Sequence, residues 1–162
     1  MKKIVQHLLE TIESVKPLLL AISNEKAALK PNPAKWSKKE IIGHLIDSAC
    51  NNQQKFVRTL LAENGHLDFV GYKQNDWVAV QNYQQADWSK LISIWEAYNF
   101  QIAHVIAQVD EAKLLNTISI EGSEPFTLAF IMPDYVEHLK HHLRAVLPDA
   151  DLQSTFSNVY NA

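Results

Sequence analysis

Four stretches of this 162-residue chain repeat apolar side chains every third or fourth position, the period of an α-helix buried along one face. The first runs from about Lys2 to Lys26 and carries Ile4, Leu8, Ile12, Val15, Leu19 and Ile22, with Pro17 expected to kink it. The second follows Ser37 and carries Ile41, Leu45, Ala49, Phe56 and Leu60. Ser37 and Glu40 form the S-x-x-E pattern in which side chains and backbone cap each other at a helix start. The third, from about Trp88 to Val109 behind Asp87 as N-cap, carries Leu91, Trp95, Tyr98, Ile102 and Val105. The fourth begins near Thr127 and ends by Pro148. Phe126 and Ile131 are placed to staple its start, and Pro133 should bend or delay it. An all-α four-helix bundle buries four such faces at once.

A domain over residues 1–150 and a C-terminal tail over 151–162 are expected, with the polar end from Ser154 loosely held. Two connections are long. Residues 63–86 form a loop of the length that is usually functional or partly structured. Residues 114–126 alternate weakly around Glu121-Gly122-Ser123, which suits a small irregular hairpin.

The net charge of −3 and the lack of a basic cluster argue against a nucleic-acid partner. No apolar run approaches the roughly 18 residues of a membrane helix, so no membrane partner is expected. A single cysteine, Cys50, cannot form an internal disulfide. A reducing, cytoplasmic setting is the expectation.

The fourth stretch contains His138 and His142, four residues apart and on or beside its apolar stripe. Imidazoles one helical turn apart on one face can share a divalent metal. Two inward imidazoles that merely satisfy a polar core are the competing reading. On the second helix His44 flanks the buried stripe, within a polar line of Glu40, His44, Asp47 and Asn51. A single histidine of that kind is more often a hydrogen-bonded core residue than a ligand, and Glu40 has a role as a cap. Asp47, one turn from His44, can support a ligand or an exogenous group. His141 lies one position off the inward face, His104 on the polar face, and Cys50 about 120° round the helix from His44. Trp77 is the tryptophan placed to line a pocket in the long loop, and Arg58 and Lys73 are its nearest cations.

Trp36-Ser37 through Glu40, His44-Leu45, Asp47 and Ser48 resembles the second-helix signature of the DinB/YfiT-like superfamily. Tyr135-Val136, His138, His141 and His142 resembles its fourth-helix signature. The resemblance spans about Trp36 to Val146. It implies a four-helix bundle with His44, His138 and His142 as metal ligands, zinc or nickel as the metal, and a homodimer. It also implies a small-molecule substrate. Members are labelled metal-dependent hydrolases, and some similar proteins transfer thiols such as bacillithiol, mycothiol or glutathione, or use them in isomerisation. Gly43 and Lys140 depart from the close pattern, standing where further histidines can occur. Three neutral imidazoles leave a metal one open position, which water or a thiol can take. The ligands do not choose between hydrolysis and thiol transfer. A non-catalytic metal- or small-molecule-binding bundle is the alternative, and no catalytic residue is assigned.

Overall fold

The computed structural model describes residues 1–157. Four long helices form the frame: α1 (Lys2–Leu20), α3 (Lys38–Leu61), α5 (Trp88–Ala107) and α6 (Leu128–Val146). Helices α1 and α3 each pack against both α5 and α6. Leu8, Ile12, Leu45, Phe56, Trp95, Ile102, Leu139 and Leu143 are buried between them. This is the expected bundle, and among the described residues no helix is long and apolar enough to cross a membrane.

The first helix is shorter than its periodicity predicts. It ends at Leu20, and the Ser23 hydroxyl accepts from Lys26 N to cap a separate helix, α2 (Asn24–Ala28). A fresh N-cap offers the backbone an alternative to continuing, and the chain takes it. Pro17 lies inside α1, in its last turn.

The capping box at the start of α3 is present in full. Ser37 Oγ accepts from Glu40 N at 3.3 Å, and Glu40 Oε2 accepts from Ser37 N at 2.7 Å. Lys30 also pairs with Glu40, at 2.8 Å. Glu40 is therefore a cap and an ion-pair partner.

The long loop is partly structured. It contains β1 (His66–Phe69), α4 (Gln74–Gln81) and a 3-10 turn at Tyr83–Gln85. β1 pairs in parallel with β2 (Thr117–Ile120), which pairs antiparallel with β3 (Phe126–Thr127). The β2–β3 pair is the expected hairpin. Glu121 and Gly122, with φ of 51° and 76°, turn the chain after β2, where Ser123 N donates to Ile120 O. Helix α6 starts at Leu128 despite Pro133, which lies within it. Leu128 N and Ala129 N, donors without intrahelical acceptors, donate to Asn116 O and Leu114 O. Phe126, at the residue before the Thr127 N-cap, stacks on Phe130 in the first turn of α6, at 5.4 Å between rings.

The start of the tail is held more firmly than its polarity suggests. Glu137 accepts from Ser154 Oγ, Thr155 N and Phe156 N at 2.6, 2.9 and 3.1 Å. Lys140 donates to Gln153 O and Thr155 Oγ1, and Arg144 Nε donates to Leu152 O. Leu152 is buried. The remainder of the expected loose tail, 158–162, lies outside the described residues.

Gly43 has a packing reason. A Cβ there would meet the Tyr83 ring at 2.1 Å. The departure from the family pattern at Gly43 thus coincides with a tyrosine laid against α3. Gly43→Ala gains about 1 kcal/mol of helix propensity but must displace that ring, at a typical overpacking cost of about 1–3 kcal/mol. Urea unfolding should show a net loss of stability together with a changed environment at Tyr83.

Candidate metal centre

Helix α3 carries His44 and helix α6 carries His138 and His142, one turn apart. Because α3 packs against α6, the three rings meet. One ligating nitrogen from each lies within 4.8 Å of the others. Ring centroids are 5.3 Å apart for His44–His138 and 4.6 Å for both His44–His142 and His138–His142. His44 Nε2 and His138 Nε2 are 3.4 Å apart. Two nitrogens on one tetrahedral zinc stand about 3.3 Å apart, so this pair already has the required spacing.

The electrostatics suit ligation. Burial, then repulsion from His142, lowers His44 to about 3. Burial and His141 lower His142 to about 4. His138 is held well below the ordinary imidazole range by burial and then by its histidine neighbours. All three are neutral at pH 7, the form that donates a lone pair to a metal. His44 Nδ1 is buried without a hydrogen-bond partner among the described residues. Buried polar atoms left this way are uncommon and call for an explanation.

The surroundings fix the rings. His138 Nδ1 lies 3.3 Å from Ser48 Oγ. With the proton on Nδ1 it donates to Ser48 and leaves Nε2 as the lone pair facing His44. Trp36 packs on His44 at 5.1 Å between rings, and exposed His141 stands edge-on to His142 at 5.1 Å. Asp47, about one turn from His44 on α3, is buried. Its Oδ1 accepts from Tyr83 Oη at 2.7 Å and Gln81 Nε2 at 2.6 Å, so α4 and the 3-10 turn are tied to α3 there. Burial raises the Asp47 carboxyl, against these two hydrogen bonds.

His138 and His142 open onto different cavities. His142 lines a cleft of about 560 Å³ walled by Trp36, Ile41 and Ala145. His138 lines a polar cavity of about 180 Å³ with Ser48, Asn52, Lys55, Tyr72 and Asp134. Trp77 does not line this second cavity; it packs on Tyr72, which does, at 4.8 Å between rings. The cation here is Lys55, while exposed Arg58 sits against Phe69 and Lys73 is exposed at the start of α4. Lys55 had a signal: it follows His44 and Ser48 by eleven and seven residues, along one face of α3. Tyr83 had none, since its approach to Gly43 depends on the course of the long loop. His104 is exposed and Cys50 half-buried.

No curated protein matches this chain. The profile of the DinB superfamily matches residues 7–146. Among solved structures the chain is similar to YfiT from Bacillus subtilis, a probable metal-dependent hydrolase with an unusual four-helix bundle topology. The TM-score is 0.80 at 18% identity, covering 91% of this chain and 83% of YfiT. It is also similar to the mycothiol-dependent maleylpyruvate isomerase, at a TM-score of 0.69 and 11% identity. That match covers 93% of this chain but 61% of the isomerase. A third similar structure is YjoA, a DinB-like protein of Bacillus subtilis, at a TM-score of 0.60 and 18% identity, covering 90% of this chain and 87% of YjoA. At these identities the structural likeness is one of fold. Together with the profile match over most of its length, it means that this chain belongs to the DinB superfamily.

Proposed function

We propose that His44, His138 and His142 hold one divalent ion, zinc or nickel, and that the protein is a metal-dependent enzyme acting on small molecules. The observation that carries this reading is the meeting of three neutral imidazoles from two helices within 4.8 Å. An all-imidazole donor set suits zinc and nickel. Such an ion supplies Lewis acidity, lowering the pKa of water or of a thiol at its open position. The chain's own part is to hold the donors. Ser48 Oγ stands where it can accept from a protonated His138 Nδ1, Trp36 shields His44, and Asp47 anchors α4 and Tyr83 against α3.

Transfer of a low-molecular-weight thiol is the preferred reaction. Separate openings at His138 and His142 suit two substrates, the thiol and its acceptor. The similar maleylpyruvate isomerase is itself thiol-dependent. Hydrolysis is the second reading, favoured by the likeness to YfiT.

The test is a panel of thiols with monochlorobimane, run beside ester and amide substrates, before and after EDTA treatment. Thiol conjugation that EDTA abolishes and zinc or nickel restores is the expected result. Metal-dependent ester or amide cleavage in its place would select hydrolysis. A metal-loaded protein inert to every substrate would favour a binding bundle without catalysis.

A further inference from the structure

The 180 Å³ cavity beside His138 carries two opposite charges on facing helices. Lys55 projects from α3, and Asp134 from α6, one turn before His138. Burial lowers the Lys55 amine, and the Asp134 carboxylate works against that loss of charge. Lys55 Nζ also lies 5.5 Å from the centre of the Phe69 ring, which favours a cation. Ile120 and Ile131 supply apolar wall.

Charges in so small a space restrict the ligand. A simple anion would meet Lys55 but face the Asp134 carboxylate, and a simple cation would face the Lys55 ammonium. Like charges at that range are costly. A molecule carrying both charged groups on adjacent carbons offers each side chain its opposite charge. The cavity has room for about six water-sized groups, the scale of a small amino acid.

We propose that this cavity is a subsite for an α-amino-acid headgroup, its carboxylate on Lys55 and its ammonium on Asp134, with the ligand's side chain directed toward His44, His138 and His142. The destination of that side chain rests on the metal reading. Recognition of the headgroup does not.

The test uses cobalt-loaded protein and three thiols: L-cysteine, 3-mercaptopropionate, which lacks the ammonium, and cysteamine, which lacks the carboxylate. Binding is followed by thiolate-to-cobalt charge-transfer absorption. Each lost charge-assisted contact should weaken binding roughly tenfold to a hundredfold. Lys55→Met should erase the preference for L-cysteine over cysteamine and keep that over 3-mercaptopropionate. Asp134→Asn should do the reverse. Comparing ratios between proteins cancels differences in thiol acidity and chelation. Ratios unchanged by either substitution would overturn the subsite. Lys55→Gln and Asp134→Ser replace any variant that lacks the wild-type circular dichroism.

A second readout needs no metal. Saturation-transfer NMR should detect L-serine on the metal-free protein and lose it in both variants. Its absence in the wild type would overturn the subsite. Failure to take up cobalt with L-serine binding intact would refute the metal reading and support the subsite.

Discussion

Glu137→Ala should destabilise the protein by about 3–5 kcal/mol, the usual result of removing one partner from a buried charged cluster. Glu137 is 1% exposed, and its two oxygens accept three hydrogen bonds from the Ser154–Phe156 stretch. Lys140, 4% exposed, stands 3.6 Å from the same carboxylate. Burial works against the Glu137 charge, yet these donors and Lys140 outweigh it and hold the carboxyl below its ordinary range. Truncation to Ala leaves a buried ammonium short of its counter-charge and two backbone donors short of an acceptor. Urea unfolding measures the loss. In a chain ending at Ala150 the same substitution should cost less than half as much, because the tail donors are already gone. Equal costs in the two backgrounds would mean that Glu137 does not hold the tail.

The second large effect concerns the histidines. A ligand at a hundredfold excess over its dissociation constant stabilises the state that binds it by about 2.7 kcal/mol. Zinc or nickel at that excess should therefore raise the stability of the wild type by this amount. His138→Ala should gain essentially nothing, since the variant lacks a donor present within 4.8 Å of the other two. Ser48→Ala keeps all three donors but removes the oxygen 3.3 Å from His138 Nδ1. Loss of such a supporting contact typically lowers metal affinity about 10–100-fold. Stabilisation of His138→Ala equal to that of the wild type would place the ion elsewhere.

The long helices were legible because burial imposes a period on the sequence. Ser37 and Glu40 also marked the start of α3 through local chemistry that needs no tertiary context. The same local chemistry at Ser23 ends the first helical stretch early, and periodicity alone reads straight through it to Ile22 and Lys26. His138 and His142 could be paired on paper because one helix carries both. Their meeting with His44 depends on how α3 and α6 pack, which spacing does not encode. Tyr83 against Gly43 is the clearest limit: the two are brought together by a loop, forty residues apart in the chain. The tail misleads for a related reason. A polar segment reads as loose until its partner, the buried Glu137 carboxylate on α6, is seen.

Elemental analysis of protein purified without a histidine tag tests the central claim most directly. The account predicts about one equivalent of a divalent transition metal in the wild type, and less than about 0.2 in His142→Ala, because a three-donor site that loses one donor binds weakly. Wild-type metal below that same level, or the same content in both proteins, would contradict it.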